Sequence, residues 1–354
     1  MDYGIDKHKL IFHPERVAEW RAGKDVFPIY AEISPSGACN HRCVYCALDF
    51  MEYKPRFLDA DMLKKRLTEM GKLGLKSVMF AGEGEPFLHP RMAEITEHCV
   101  KVGVDAAFTT NAVLMRPQIA DWVVPVSSWI KASFNGGTPE TYAKIHRTKP
   151  ADFDIALGNL AYAVKLKRRK GYKCAIGMQM VLLPENADEA VTLAKKAKAI
   201  GVDYLVIKPY SQHPLSLTRK YAEIKYSDCE NLAAKLEKLN SSEFSVIFRS
   251  NAMKKWDDAV KPYNRCLALP FWTYIDAGGD VWGCSMFLGK KEFLYGNINK
   301  KTFAEIWKGA ERRKSLAYVA KKLDARRCRL NCRMDEINRY LWNLQNPPEH
   351  VNFI

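Results

Sequence analysis

Long apolar runs are missing from this 354-residue chain. No stretch approaches the ~18 uninterrupted apolar residues of a membrane-spanning helix, so no membrane partner is expected. Met1 to Leu10 lacks a basic start followed by an apolar run, so a secretory leader is not expected and a cytoplasmic location is. Acidic residues are short, 40 against 55 basic ones, which leaves a formal net charge of +15. Hydrophobic residues at 47% and charged residues at 27% exclude a disordered or fibrous chain. Cysteine is the surplus. Ten of them in a reducing compartment suggest metal ligands rather than disulfides.

The positive charge suits nucleic acid, phosphorylated substrates or acidic protein partners. Its distribution narrows the choice. Lys308 to Arg333 carries ten Lys or Arg against Glu311 and Asp324, packed around two cysteines. A second run, Lys165 to Lys173, holds six cations and no acid and reads as a solvated helix face.

A weak repeat gives the architecture. Gly74, Gly103, Gly171 and Gly201 each stand just before a short apolar run of strand length, and glycine is a good helix stop because it enters the left-handed conformation without strain. Leu63, Leu67, Met70 and Leu73 form an apolar helical stripe with Asp59 as N-cap, and Asn186 with Glu189 reads as a capping-box start to a helix ending near Ile200. Strands are expected near 30–35, 77–81, 105–110, 128–133, 174–183 and 203–208. Six strands alternating with helices predict an α/β fold, a partial (β/α)6 TIM-like barrel whose chemistry sits at the C-terminal strand ends. The domains expected are an N-terminal extension (1–28), the barrel (29–244), a small appended domain (245–332), and a C-terminal helix and tail (333–354).

Directly after the first strand come Cys39, Cys43 and Cys46, a C-x3-C-x2-C run. Three thiolates are one short of closing a structural zinc site, whereas on a [4Fe–4S] cluster they leave one iron open. C-x3-C-x-aromatic-C, with Tyr45 as the aromatic residue, resembles the radical S-adenosylmethionine (radical SAM) enzymes, and supporting motifs extend the resemblance over roughly residues 30–210. The resemblance implies that SAM binds the open iron through its amino and carboxylate groups, and that a 5′-deoxyadenosyl radical removes a hydrogen atom from substrate. Ala81-Gly-Glu-Gly84-Glu85-Pro86 looks like the family's G-G-E-P motif, with Gly84 allowing close approach and Glu85 taking the SAM ammonium. Asn111 stands in the position of the T-N-G motif, and Ser133 and Asn135 in the ribose- and carboxylate-contacting position. Arg147 is the candidate for the SAM carboxylate, which arginine can engage bidentately.

Cys266, Cys284, Cys328 and Cys332 form a second group. Tyr295-Gly-Asn-Ile298 followed by Glu305-Ile-Trp307 resembles the signature after an auxiliary-cluster cysteine in radical SAM enzymes with twitch or SPASM domains. Four cysteines suit a twitch-type domain with one fully ligated auxiliary [4Fe–4S] cluster, and zinc is the structural alternative. The spacing resembles that of 2-deoxy-scyllo-inosamine dehydrogenase, with one extra residue in the last pair. Cys99, Cys174 and Cys229 read as small buried hydrophobes.

A fully ligated second cluster passes electrons. The expectation is a radical SAM oxidoreductase that oxidises an alcohol carbon on a small polar, sugar- or cyclitol-like substrate, phosphorylated or nucleotide-linked forms included. The alternatives are epimerisation, which needs a spare thiol at the barrel top, and peptide or RNA modification. The ~30 residues before strand 1 are few for a peptide-recognition domain, and no RNA-binding module is visible, so nucleic acid is not the expected partner. Lys208, Tyr210, His213 and Arg249 follow the last strands and are the candidates for the substrate-facing catalytic groups. Flavodoxin or ferredoxin is the expected electron donor, drawn by the positive field around Cys328 and Cys332.

Overall fold

The structure, a computed structural model, describes residues 4–5, 7–227 and 229–353. Ten strands form one sheet: β1 (Tyr30–Ile33), β2 (Ser77–Phe80), β3 (Asp105–Thr110), β4 (Trp129–Ser133), β5 (Ala175–Leu182), β6 (Tyr204–Pro209), β7 (Ser245–Phe248), β8 (Trp272–Ile275), β9 (Asp280–Trp282) and β10 (Leu294–Asn297). Their order is β10-β9-β8-β1-β2-β3-β4-β5-β6-β7. The fold is α/β, an open partial barrel with a C-terminal cluster domain.

All four glycines of the repeat take positive φ, between 69° and 99°, as helix ends require. The Asp59 carboxylate accepts from the Met62 amide at 2.7 Å and starts the helix Ala60–Lys72, which buries Leu63, Leu67 and Met70 completely. On β4 the alternation is clear. Ile130 and Ala132 pack under the helices, while Lys131 and Ser133 stay half-buried on the other face. The basic run from Lys165 lies in the last turns of the helix Ala151–Lys170, where cations meet the negative end of the helix dipole, and Lys167 pairs with Asp203 at 2.6 Å.

Two expectations need correcting. The parallel sheet does not stop at six strands: β7, assigned above to the appended domain, pairs in parallel with β6, and β8 pairs in parallel with β1 on the opposite side. Short strands set between glycines and polar residues gave no sign of which sheet edge they join. The Asn186–Glu189 capping box is also absent. Asn186 donates to the carbonyls of Asn135 and Val181, and Glu189 instead accepts from the Gly137 and Thr138 amides at the start of the helix Pro139–His146.

The C-terminal elements dock on the barrel through polar contacts. Arg66 donates to the Ile298 carbonyl at 2.9 Å, and Glu69 accepts from the Phe303 and Ala304 amides at 3.0 and 2.8 Å. Trp307 donates to the Val26 carbonyl at 2.8 Å, and Arg312 lies over its ring while pairing with Asp25. Among the described residues no helix is long and apolar enough to cross a membrane. Glu69→Ala leaves two amides at a helix start and Arg66 without their acceptor. It is expected to lower stability by about 1–2 kcal/mol, read as an earlier midpoint in urea unfolding followed by tryptophan fluorescence.

Candidate functional site

The loop after β1 carries Cys39, Cys43 and Cys46 onto one side of a cavity of ≈ 290 Å³ at the C-terminal ends of the parallel strands. No cysteine of the chain is in a disulfide. Burial pushes the Cys39 thiol up to about 12, and burial together with the other thiols raises Cys43 strongly. Sulfur donors crowded this way cannot ionise together, and a bound cation resolves the conflict. The donor set fits a three-thiolate cluster with one iron open.

The loop after β2 holds this cysteine loop in place backbone against backbone. A Cβ on Gly84 would stand 2.0 Å from the Ala38 carbonyl oxygen and 2.6 Å from that of Ser36, so only glycine fits. The Glu85 amide donates to the Ala38 carbonyl at 2.8 Å. The Glu85 carboxylate accepts from Thr110 Oγ1 at 2.6 Å and from the Asn111 amide at 2.9 Å, and burial lifts it to about 7. A ligand ammonium beside it would restore its charge. Glu83, where the family motif has glycine, pairs with Arg56 at 2.8 Å and accepts from the Ala277 amide, so it ties this loop to the turn after β8.

Tyr45, Gly84, Glu85, Asn111 and Ser133 all line the cavity, as the motifs suggest. Asn135 and Arg147 do not. The Asn135 amide is buried and spent: it donates to Tyr45 Oη at 2.7 Å and accepts from the Val181 amide at 2.6 Å. Arg147 caps the helix Pro139–His146 in a left-handed conformation and is exposed. Its neighbour His146 is the residue the sequence reading missed. His146 Nε2 accepts from the Asn135 amide, so Nδ1 carries the proton and donates to Cys43 Sγ at 3.4 Å. Burial keeps this imidazole neutral. Hydrogen bonds to cluster sulfurs set reduction potentials, so His146 would tune a cluster held at Cys43. The signal was the spacing of Tyr142 and His146, four apart and stacked, which marks the helix's inward face.

Cys266, Cys284, Cys328 and Cys332 enclose a second cavity of ≈ 20 Å³ walled by apolar side chains such as Leu269, Trp272 and Phe293. Burial and neighbouring sulfurs raise Cys266 to about 12 and lift Cys284 and Cys332 as well. Four sulfurs around one cavity fit a fully ligated cluster. Lys261 donates to the carbonyls of Ala325, Cys328 and Arg329 at 2.9–3.0 Å and fixes the loop between the last two cysteines. That loop sends Arg329 and Asn331 into the first cavity, where Arg329 donates to Ser211 Oγ and to the Ser211 carbonyl, both at 2.8 Å. The two sulfur sites therefore share a wall.

Lys208, Tyr210 and Arg249 line the same cavity, and His213 does not. His213 Nδ1 accepts from the Leu215 amide at 3.1 Å, so Nε2 donates to the Ser285 carbonyl at 3.3 Å, and the ring stacks on Phe50. It has no lone pair left for a substrate proton. Burial and the charges of Lys131, Arg329 and Arg249 drive Lys208 well below the usual lysine range, and Lys131 falls to about 8. The basic segment is also less exposed than its composition suggests: Arg312 and Arg329 turn inward, and Arg333 reaches Glu32 of β1 at 3.3 Å.

Gly84→Ala is expected to push the cysteine loop away and to remove one cluster without the other. Iron per chain after anaerobic reconstitution should fall from about eight to about four, the content of one cubane.

Comparison with known proteins agrees with this geometry. Residues 33–197 match the family model of the radical SAM superfamily, and residues 266–333 match SPASM, an iron–sulfur cluster-binding domain. The chain is 25% identical over 309 residues to the tungsten-containing aldehyde ferredoxin oxidoreductase cofactor-modifying protein of Pyrococcus furiosus, covering 79% of this chain and 80% of the relative. It is 23% identical over 297 residues to the AdoMet-dependent heme synthase of Methanosarcina barkeri, covering 78% and 81%. The structure of Streptococcus suis SuiB bound to precursor peptide SuiA superposes with a TM-score of 0.65 at 18% identity, covering 85% of this chain and 69% of that one. Three cysteines at the mouth of an open barrel thus lie within a radical SAM domain and four behind it within a SPASM-type iron–sulfur domain, and the chain takes SAM and two iron–sulfur clusters as cofactors.

Proposed function

We propose that this radical SAM enzyme is an oxidoreductase acting on a small polar, sugar- or cyclitol-like substrate, with net two-electron oxidation of an alcohol carbon. The observation that carries the reading is the shared wall: the Cys328–Cys332 loop lines the cavity that Cys39, Cys43 and Cys46 also line. When bound, SAM and the clusters supply hydrogen-atom abstraction and an electron acceptor beside the substrate. The chain's own residues do the rest. Lys208, whose charged form burial and its cationic neighbours disfavour, is the group suited to take the hydroxyl proton. Tyr210 donates its phenol proton to Gln212 at 3.0 Å and serves as wall rather than base. The cavity, ≈ 290 Å³, is near the lower end of small-molecule sites.

Epimerisation finds less support. Among the described residues, no thiol besides the three cluster cysteines lines the cavity; Cys99 and Cys174 are buried elsewhere. The names of the curated relatives, a cofactor-modifying protein and a heme synthase among them, favour a second reading in which the substrate is a cofactor precursor.

Labelling separates these readings. With substrate deuterated at the reacting carbon, deuterium is expected in 5′-deoxyadenosine, and solvent deuterium is expected in no stable C–H bond of the product. Solvent deuterium at that carbon, with the product no more oxidised than the substrate, would overturn the oxidation. Lys208→Met should lower turnover at least tenfold while SAM still binds.

The donor is proposed to be an acidic flavodoxin or ferredoxin docking near the second site. Arg326 and Arg327 remain exposed there, whereas Arg329 does not take part because it faces the cavity. Arg326→Glu with Arg327→Glu is expected to slow reduction by flavodoxin several-fold at low salt and to leave reduction by dithionite unchanged.

A further inference from the structure

The C-terminal helix Asp335–Gln345 begins just past Cys332, beyond the residues that match the SPASM model. It is firmly held. The Asp335 carboxylate accepts from Tyr263 Oη at 2.6 Å, Lys255 at 3.0 Å and Arg339 at 2.8 Å. Leu341 is buried in one apolar cluster with Val17, Val26 and Phe271. The helix also sends a buried polar side chain, Asn338, to the wall of the second cavity. Its Oδ1 accepts from the Leu267 and Ala268 amides at 2.6 and 3.1 Å. Main-chain amides only donate, so the oxygen end of the side chain is fixed and the NH2 end is turned the other way. One of its protons goes to the Met334 carbonyl at 3.0 Å and the other to Cys266 Sγ, with nitrogen and sulfur 3.7 Å apart. The amides of Met286 and Met334 donate in the same way to Cys284 Sγ and Cys332 Sγ, at 3.4 and 3.5 Å. Those two donors are backbone and survive any change of side chain. The donor to Cys266 exists because residue 338 is asparagine.

We infer that Asn338 is a positioning residue that sets the reduction potential of the second cluster through Cys266, which makes the C-terminal helix part of the cluster's site. Reduction adds one negative charge to a cluster and spreads it onto the sulfurs. An N–H aimed at a sulfur therefore stabilises the reduced form more than the oxidised one. The apolar wall of Leu269, Trp272 and Phe293 strengthens the effect, because little water competes or screens there. Asn338 thus holds the potential up and makes the cluster a better electron acceptor. As a neutral amide it does so without a buried charge of its own, which would be costly. The inference rests on the second cluster alone and takes nothing from the substrate or reaction proposed above.

The test is a redox titration of anaerobically reconstituted holoenzyme, without substrate or SAM, followed by electron paramagnetic resonance. A variant with Cys39, Cys43 and Cys46 all changed to Ala identifies the second cluster's signal. Asn338→Leu is expected to lower the reduced-to-oxidised ratio of that cluster about tenfold at a fixed potential, a fall of ~59 mV in its midpoint for one electron. The first cluster's midpoint should stay where it is in the parent. Leu341→Ala loosens the same helix from its buried face, and should lower the thermal midpoint while leaving both potentials unchanged. An unchanged second midpoint in Asn338→Leu, or an equal fall in Leu341→Ala, would overturn the inference. A second measurement needs no variant and so stands even where Asn338→Leu loses iron. In parent protein carrying nitrogen-15 in its asparagine side chains, pulsed resonance on the reduced second cluster should show a nitrogen-15 coupling, and its absence would equally overturn the inference. Neither readout involves turnover, so failure here and failure of the proposed oxidation are told apart.

Discussion

The hold of Arg329 on Ser211 joins the two halves of this enzyme. One guanidinium, set between two cluster cysteines, closes a cavity whose other side is built by a different group of cysteines more than 280 residues earlier. Each half alone is a sulfur site. Joined at this point, they enclose one chamber that both sulfur sites border. The polar docking of the C-terminal elements on the helix Ala60–Lys72 and on the N-terminal segment serves the same end, because it fixes the distance at which Arg329 arrives.

Much of this was legible in the sequence, and for identifiable reasons. Cysteine spacing is read directly because ligands of one cluster must be near each other, and helix-stopping glycines reveal the strands that follow. The Gly84 position was legible because a close backbone approach admits no side chain. What escaped is the direction in which a side chain points. Arg147 and His146 are adjacent, yet the helix turns one to solvent and the other onto Cys43. Asn135 and His213 have the right chemistry at strand ends, but backbone amides across the loop claim their acceptors first. Glu189 caps a neighbouring helix rather than its own, a contact between residues about fifty apart that no local pattern encodes. The seventh parallel strand was missed because pairing with β6 depends on where the chain returns, not on its composition.

Charge shows the same division between composition and placement. The basic stretch before Arg333 reads as one surface patch, but Arg312 stacks over Trp307 inside the core and Arg329 lines the cavity, while Arg333 stays exposed and pairs with Glu32. Arg326 and Arg327 stay exposed near the second sulfur site, whereas Arg329 acts on Lys208 inside the cavity. A single segment thus faces both solvent and cavity.

Lys261 gives the second sulfur site a support of its own. Its ammonium has three protons, and three main-chain carbonyls, those of Ala325, Cys328 and Arg329, take all of them. The loop carrying the last two sulfurs is therefore held by contacts that do not involve sulfur. Part of the conformational entropy lost in ordering it is offset by the polypeptide's own hydrogen bonds.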